Sequence, residues 1–258
     1  MLDTYGVAFL REGSGVLDVA GGKGELAWEL LNLNVVPAIV LEPRPLEFGS
    51  FVKKWSCGMY WRNPIFHLHL HCAQDPEAVT QAPRHLRLLL TPAVIAWVAG
   101  DNDKAAEGEA VFASGYRQAC ALRWTRKGLQ EHEEALDLAE GDMAGASREP
   151  CEGAEAEAAV VNTCPEPGEE AEEKRDELDR TQEEGAEVAT AVEAVMLIRD
   201  CSLVAALHPD QAAEYTITLA LALRKPFAVV PCCVYAAEFP RRRLRGGAPV
   251  RTYSHLLE

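Results

Sequence analysis

GVLDVAGGKGELAWELLNLNVVPAIVLE, residues 15–42, reads as strand, glycine turn, helix, strand and terminal acid. Gly15 to Val19 is a short apolar run with Asp18 inside it. Ala20-Gly21-Gly22-Lys23-Gly24 follows, a turn in which glycines let backbone N–H groups approach a ligand closely. From Glu25 to Leu33, Leu26, Leu30 and Leu33 recur at helical spacing. Val35 to Leu41 is a second apolar strand, and its Pro37 is tolerable only at the strand's beginning. It ends at Glu42, 18 residues after Gly24, close to the spacing at which an acid accepts the hydroxyls of a ribose. A tight βα turn followed by a solvated glutamate is the bland alternative. The acid within the first strand together with the acid ending the second favours a nucleotide-type site.

A second unit lies near the other end. Ser202 to Leu207 is an apolar strand, followed by His208-Pro209-Asp210. Proline and aspartate suit a helix start, so Asp210 reads as a cap. The helix runs from Gln211 to Arg224 until Pro226 stops it, and Phe227 to Val230 forms the next strand, ending in Pro231-Cys232-Cys233. Such a βαβ unit predicts a parallel sheet with a right-handed crossover. Between the two units, a helix is expected over about 46–55, a third strand over Ile65–Cys72, and a helix over Arg84–Trp97 broken near Pro92. On that third strand His67, His69 and His71 would share one face. Three histidines at that period can bind zinc, but only Cys72, on the other face, is at hand to complete a site, so a packed or solvated face is the simpler reading and no metal is assigned.

The chain has 258 residues, 48% apolar and 25% charged, enough for a substantial core. Its net charge of −15 is unevenly spread. Residues 101–195 carry 26 acidic and 9 basic side chains, a net of −17; the remainder carries 14 acidic and 16 basic, a net of +2. The heart of the acidic part, 149–185, is rich in Glu, Ala, Gly and Pro and has no aromatic residue. It cannot bury enough apolar surface to offset its ordering entropy, so a largely disordered insertion is expected, bordered by helices near 105–139 and 186–199. Its other reading is an acidic docking arm for a basic protein partner. The organisation expected is therefore one domain in two halves, 1–100 and 196–258, separated by an insertion at 101–195. No run of 18 apolar residues occurs, so no membrane-spanning helix is expected, and the N-terminal stretch lacks the pattern of a secretory signal. The eight cysteines form no CxxC pair, which suggests reduced thiols in the cytoplasm or another reducing intracellular compartment.

LDVAGGKGELAWEL resembles motif I of class I S-adenosylmethionine-dependent methyltransferases, where an acid precedes a GxGxG-like turn. The resemblance implies S-adenosylmethionine as cofactor. Asp18 would help hold the methionine ammonium, Ala20, Gly21, Gly22 and Gly24 would line the turn, and Glu42 would bind the ribose. Ala20 departs from the family pattern at the first glycine position. Leu207-His208 after the fourth strand and Pro231-Cys232-Cys233 after the fifth resemble a subgroup that includes a tRNA 2′-O-methyltransferase family. By that resemblance His208 would accept a proton or orient the acceptor, and Cys232 and Cys233 would shape the acceptor pocket; their plain roles are a strand-end hydrogen bond and small residues at a turn. The family fold is a Rossmann-like α/β sheet, mostly parallel with flanking helices. Its final antiparallel strands are not evident after Cys233, so a divergent or C-terminally truncated member is expected.

Three functions follow in order. The first is methyl transfer to an N or O acceptor, on RNA or a small molecule. The second is a catalytically inactive methyltransferase-like binding module that docks through its acidic insertion. The third, a dinucleotide-dependent oxidoreductase, is disfavoured by Asp18 just before the turn. Arg241-Arg242-Arg243 and Arg245 form a basic stretch that suits phosphate contact or simply balances local charge.

Overall fold

The computed structural model describes residues 1–72, 75, 78–100, 105–121, 124–125, 128–129, 190–209, 212–231 and 241–257. Five strands form one parallel sheet: β1 (Val16–Val19), β2 (Ala38–Leu41), β3 (Arg84–Leu86), β4 (Leu203–Leu207) and β5 (Phe227–Val230). Their spatial order is β3-β2-β1-β4-β5, with Val16 in register with both Ala38 and Leu203. The α/β, Rossmann-like fold is thus present. Pro37 immediately precedes β2, and its carbonyl accepts the N–H of Val16 at 2.9 Å, so it costs the sheet no ladder bond.

β1 and β2 are buried along their whole length, as a parallel sheet covered on both faces requires. Alternation along the strands divides the core. One face carries Leu17, Val19, Ile39, Leu41, Val204 and Ala206 against helices α7 (Pro92–Ala99), α9 (Ala191–Arg199) and α10 (Ala213–Leu223). The other carries Val16, Val40, Leu203 and Ala205 against Ala27 and Leu30 of α3 (Glu25–Asn34) and Leu10 of α2 (Val7–Leu10), which follows α1 (Leu2–Tyr5). A third cluster packs Trp28 and Leu33 of α3 against Phe48, Phe51, Trp55 and Tyr60. It anchors the excursion after β2, which holds α4 (Gly49–Ser56), α5 (Met59–Arg62) and α6 (Pro64–His67).

Two expected elements change type. Residues 65–72 are not a strand. The Asn63 side chain accepts the N–H of Ile65 at 3.0 Å and Pro64 stands at the first helical turn, so the chain turns into α6. The three histidines therefore share no strand face: His71 donates its N–H to Leu33 O, and the His69 carbonyl accepts the Asn34 side chain. Among the described residues, no three His, Cys, Asp or Glu side chains are grouped to hold a metal ion. The third strand is instead Arg84–Leu86, where a broken helix was expected. Burial of Leu86, Leu88 and Leu90 between half-buried Arg87 and Leu89 has the period of extended chain, and the Thr91 side chain then caps α7.

Helices stand at both ends of the acidic stretch, α8 (Ala105–Ala121) and α9, but the first ends short of the expected 139, because Trp124–Thr125 pairs antiparallel with Gly128–Leu129. Thr190 caps α9 through the N–H of Glu193, and Ala194, Val195 and Ile198 enter the core. The boundary expected at 195 thus falls inside a helix of the main fold. The heart of the insertion, 149–185, lies outside the described residues. Toward the end of the chain, Arg243 and Pro249 form an antiparallel bridge, followed by α11 (Tyr253–Leu257).

Candidate functional site

Because all five strands run parallel, their carboxyl ends meet along one edge. β1 leads outward to β2 on one side, and its neighbour β4 leads to β5 on the other. The helix after β1 lies on one face and the helix after β4 on the opposite face. In open α/β sheets such a divergence marks the edge at which ligands bind.

Ala20 and His208, at the ends of β1 and β4, both take left-handed backbone angles, φ 54° and 53°. A side chain there is strained, and such strain persists where the surrounding structure enforces it. Gly22 (φ 61°) and Gly24 (φ 84°) continue the turn into α3. Gly21 is needed for space: a Cβ there would lie 2.6 Å from Asp18 Oδ2 and 2.8 Å from Val40 Cγ1.

Asp18 lies directly beneath that turn. It is 1% exposed, and among the described residues neither carboxylate oxygen has a hydrogen-bond partner. Burial pushes its carboxyl up to about 7; the nearby Ala27 amide opposes this without a normal hydrogen bond, and the charge of Glu42 adds to it. An orphaned buried acid under a glycine cradle is an unusual expense for a fold, because a buried charge ordinarily comes with a partner.

Glu42, at the end of β2, is equally buried but fully partnered. Its Oε1 accepts the Arg44 backbone N–H at 3.0 Å and Arg44 Nε at 2.7 Å; its Oε2 accepts the Gly22 N–H at 2.9 Å and Arg44 Nη2 at 3.1 Å. β3 supports this corner. His85 Nε2 donates to the Glu42 carbonyl at 2.8 Å, and Arg87 Nε donates to that of Pro43 at 3.2 Å. Burial holds the His85 imidazole below its ordinary value. The 42–48 loop closes onto the turn, with a Lys23–Glu47 ion pair at 2.7 Å and Phe48 against Gly24.

Of the residues expected to bind cofactor, the structure brings Asp18, Ala20, Gly21, Gly22, Gly24 and Glu42 into one cluster. His208 stands on the same edge, one strand away, exposed and with its N–H bound to Val230 O at 2.9 Å. Cys232, Cys233 and Asp210 lie outside the described residues. Cys72, Cys120 and Cys201 are free thiols, whereas Cys57 is disulfide-bonded, a departure from reduced thiols throughout. Sequence reasoning missed Arg44, His85 and Arg87. Arg44 is a cation two residues after the acid, a signal too common to read alone; His85 and Arg87 were assigned to a helix.

Comparison with protein-family models, curated proteins and solved structures finds no match to this chain. Among the described residues, no helix is long and apolar enough to cross a membrane.

Proposed function

We propose that this chain is an S-adenosylmethionine-dependent methyltransferase acting on an N or O acceptor. The observation that carries the reading is the buried, unpartnered Asp18 carboxylate under Gly21. A negative charge there favours a cationic ligand over the turn and repels the pyrophosphate of a dinucleotide. When bound, S-adenosylmethionine supplies an electrophilic methyl group on a positively charged sulfur. Gly22 leaves room for close approach, Asp18 offsets the ligand's positive charge from below, and Glu42 would hold the ribose.

In this reading His208, on the neighbouring strand, takes a proton from the acceptor, and Cys232 and Cys233, which follow β5 in the sequence, shape the acceptor pocket. The acceptor is RNA or a small molecule. Supporting RNA is the basic stretch 241–251, whose Arg242 reaches Glu214 in the first turn of α10, 3.6 Å away, beside the same edge. A reducing compartment such as the cytoplasm fits the three free thiols, and the Cys57 disulfide counts against it.

A second reading, a non-catalytic module that docks a basic partner through the acidic insertion, is favoured by the occupied carboxylate of Glu42. Calorimetric titration separates the two. The first reading expects binding of S-adenosylmethionine and not NAD, lost in Asp18→Ala and Gly22→Val proteins that still melt cooperatively. No binding of either ligand would leave the module.

A further inference from the structure

A carboxylate offers about four lone-pair sites, and Glu42 has four donors on it. Two of these, the N–H groups of Gly22 and Arg44, belong to the backbone and stay with the fold. The other two, Nε and Nη2, come from one guanidinium, and each takes a different carboxylate oxygen. Removal of that guanidinium would free one acceptor on each oxygen. Two donors held side by side, one aimed at each oxygen of a carboxylate, are also what a ribose presents, there from hydroxyls on two neighbouring carbons. Nη2 lies 3.8 Å from where a Cβ of Gly22 would stand, so the guanidinium hangs over the glycine turn itself. The Arg44 side chain is 42% exposed, so it has water to move into.

We propose that Arg44 is a built-in stand-in for a ribose diol. It occupies the nucleoside subsite of Glu42 in the ligand-free protein and must swing aside for a nucleoside to bind. This rests on the nucleoside-binding reading of the site and adds a self-competing residue to it. Its cost to affinity follows from populations: a ligand that binds only the open form has its dissociation constant raised by the reciprocal of the open fraction. With the open form present about one-tenth of the time, the penalty is about tenfold.

The test is calorimetric, on the full chain, with S-adenosylmethionine, adenosine and 2′-deoxyadenosine as probes. Arg44→Ala should bind S-adenosylmethionine about tenfold more tightly than the native chain. Arg44→Lys, which keeps the charge but offers one point donor in place of the fork, should fall between them. The gain should be large for adenosine and mostly absent for 2′-deoxyadenosine. Thermal melts establish that each variant is folded. Unchanged or weaker binding of S-adenosylmethionine by Arg44→Ala would overturn the stand-in and leave the cofactor reading intact. Equal gains for the two nucleosides would overturn the diol assignment. Absence of binding by both native chain and variants would remove the cofactor reading and the stand-in together.

Discussion

Replacing Asp18 with asparagine should stabilise the ligand-free protein at pH 8 and leave it nearly unchanged at pH 5. The Asp18 carboxyl sits at about 7 in the fold against 3.8 in the unfolded chain, because burial disfavours its charge. The folded state therefore binds this proton more tightly, and stability attached to it is full below about pH 4 and is lost as pH rises through 7. The whole difference corresponds to about 4 kcal/mol. Asparagine removes the charge but leaves a buried amide to satisfy, which returns about 1–3 kcal/mol. A net gain of about 1–3 kcal/mol at pH 8 follows, or about 2–4 °C of melting temperature per kcal/mol for a chain of this size. Glu29, also raised to about 7 by burial and by Glu25, and His85, shifted the opposite way, are common to both proteins and cancel in the comparison. Urea or thermal melts of both proteins across pH 5–8 give the difference directly. A constant difference across that range, or a variant that loses ground as pH rises, would refute the uncompensated charge. The same variant should lose S-adenosylmethionine binding under the proposed function, since the instability is what a cationic ligand would relieve.

Two further substitutions probe the turn and the rim. Gly21→Ala should cost about 1–3 kcal/mol, because its methyl meets the Asp18 carboxylate and Val40 in a packed site. Gly22→Ala, with only Arg44 among the described residues within 4 Å of the new Cβ, should cost less, chiefly the penalty of its positive φ; the reverse order in urea melts would contradict this packing. At the end of β4, His208→Gly should be more stable than His208→Ala by about 1 kcal/mol, because only glycine accepts φ 53° without strain. Both variants should lose methyl transfer if His208 serves the acceptor, and equal stabilities would argue against the left-handed backbone there.

How far the fold can be read from the chain depends on the range of the forces involved. Residues 15–42 and 202–230 announce their βαβ character through glycine placement, helical spacing and proline stops, all signals within a few residues of one another. Segments 65–72 and 84–90 mislead for the same reason. IFHLHLH alternates like a strand, yet the local Asn63–Pro64 start draws Ile65–His67 into a helical turn and the rest follows as turn and irregular chain; RHLRLLL has two periods superposed, and only its place beside β2 selects the extended one.

The sequence alone determines that an acid precedes a glycine turn, that another acid ends the following strand, and that the net charge belongs to one interior stretch. Tertiary structure decides what those acids experience. Asp18 is left without a hydrogen-bond partner among the described residues because Gly21 closes over it and Val40, from the next strand, fills the space alongside. Glu42 is saturated because Gly22, 20 residues earlier, and Arg44, two residues later, converge on it. Burial and hydrogen-bond occupancy are sums over neighbours brought together by the whole chain, and no local pattern encodes them.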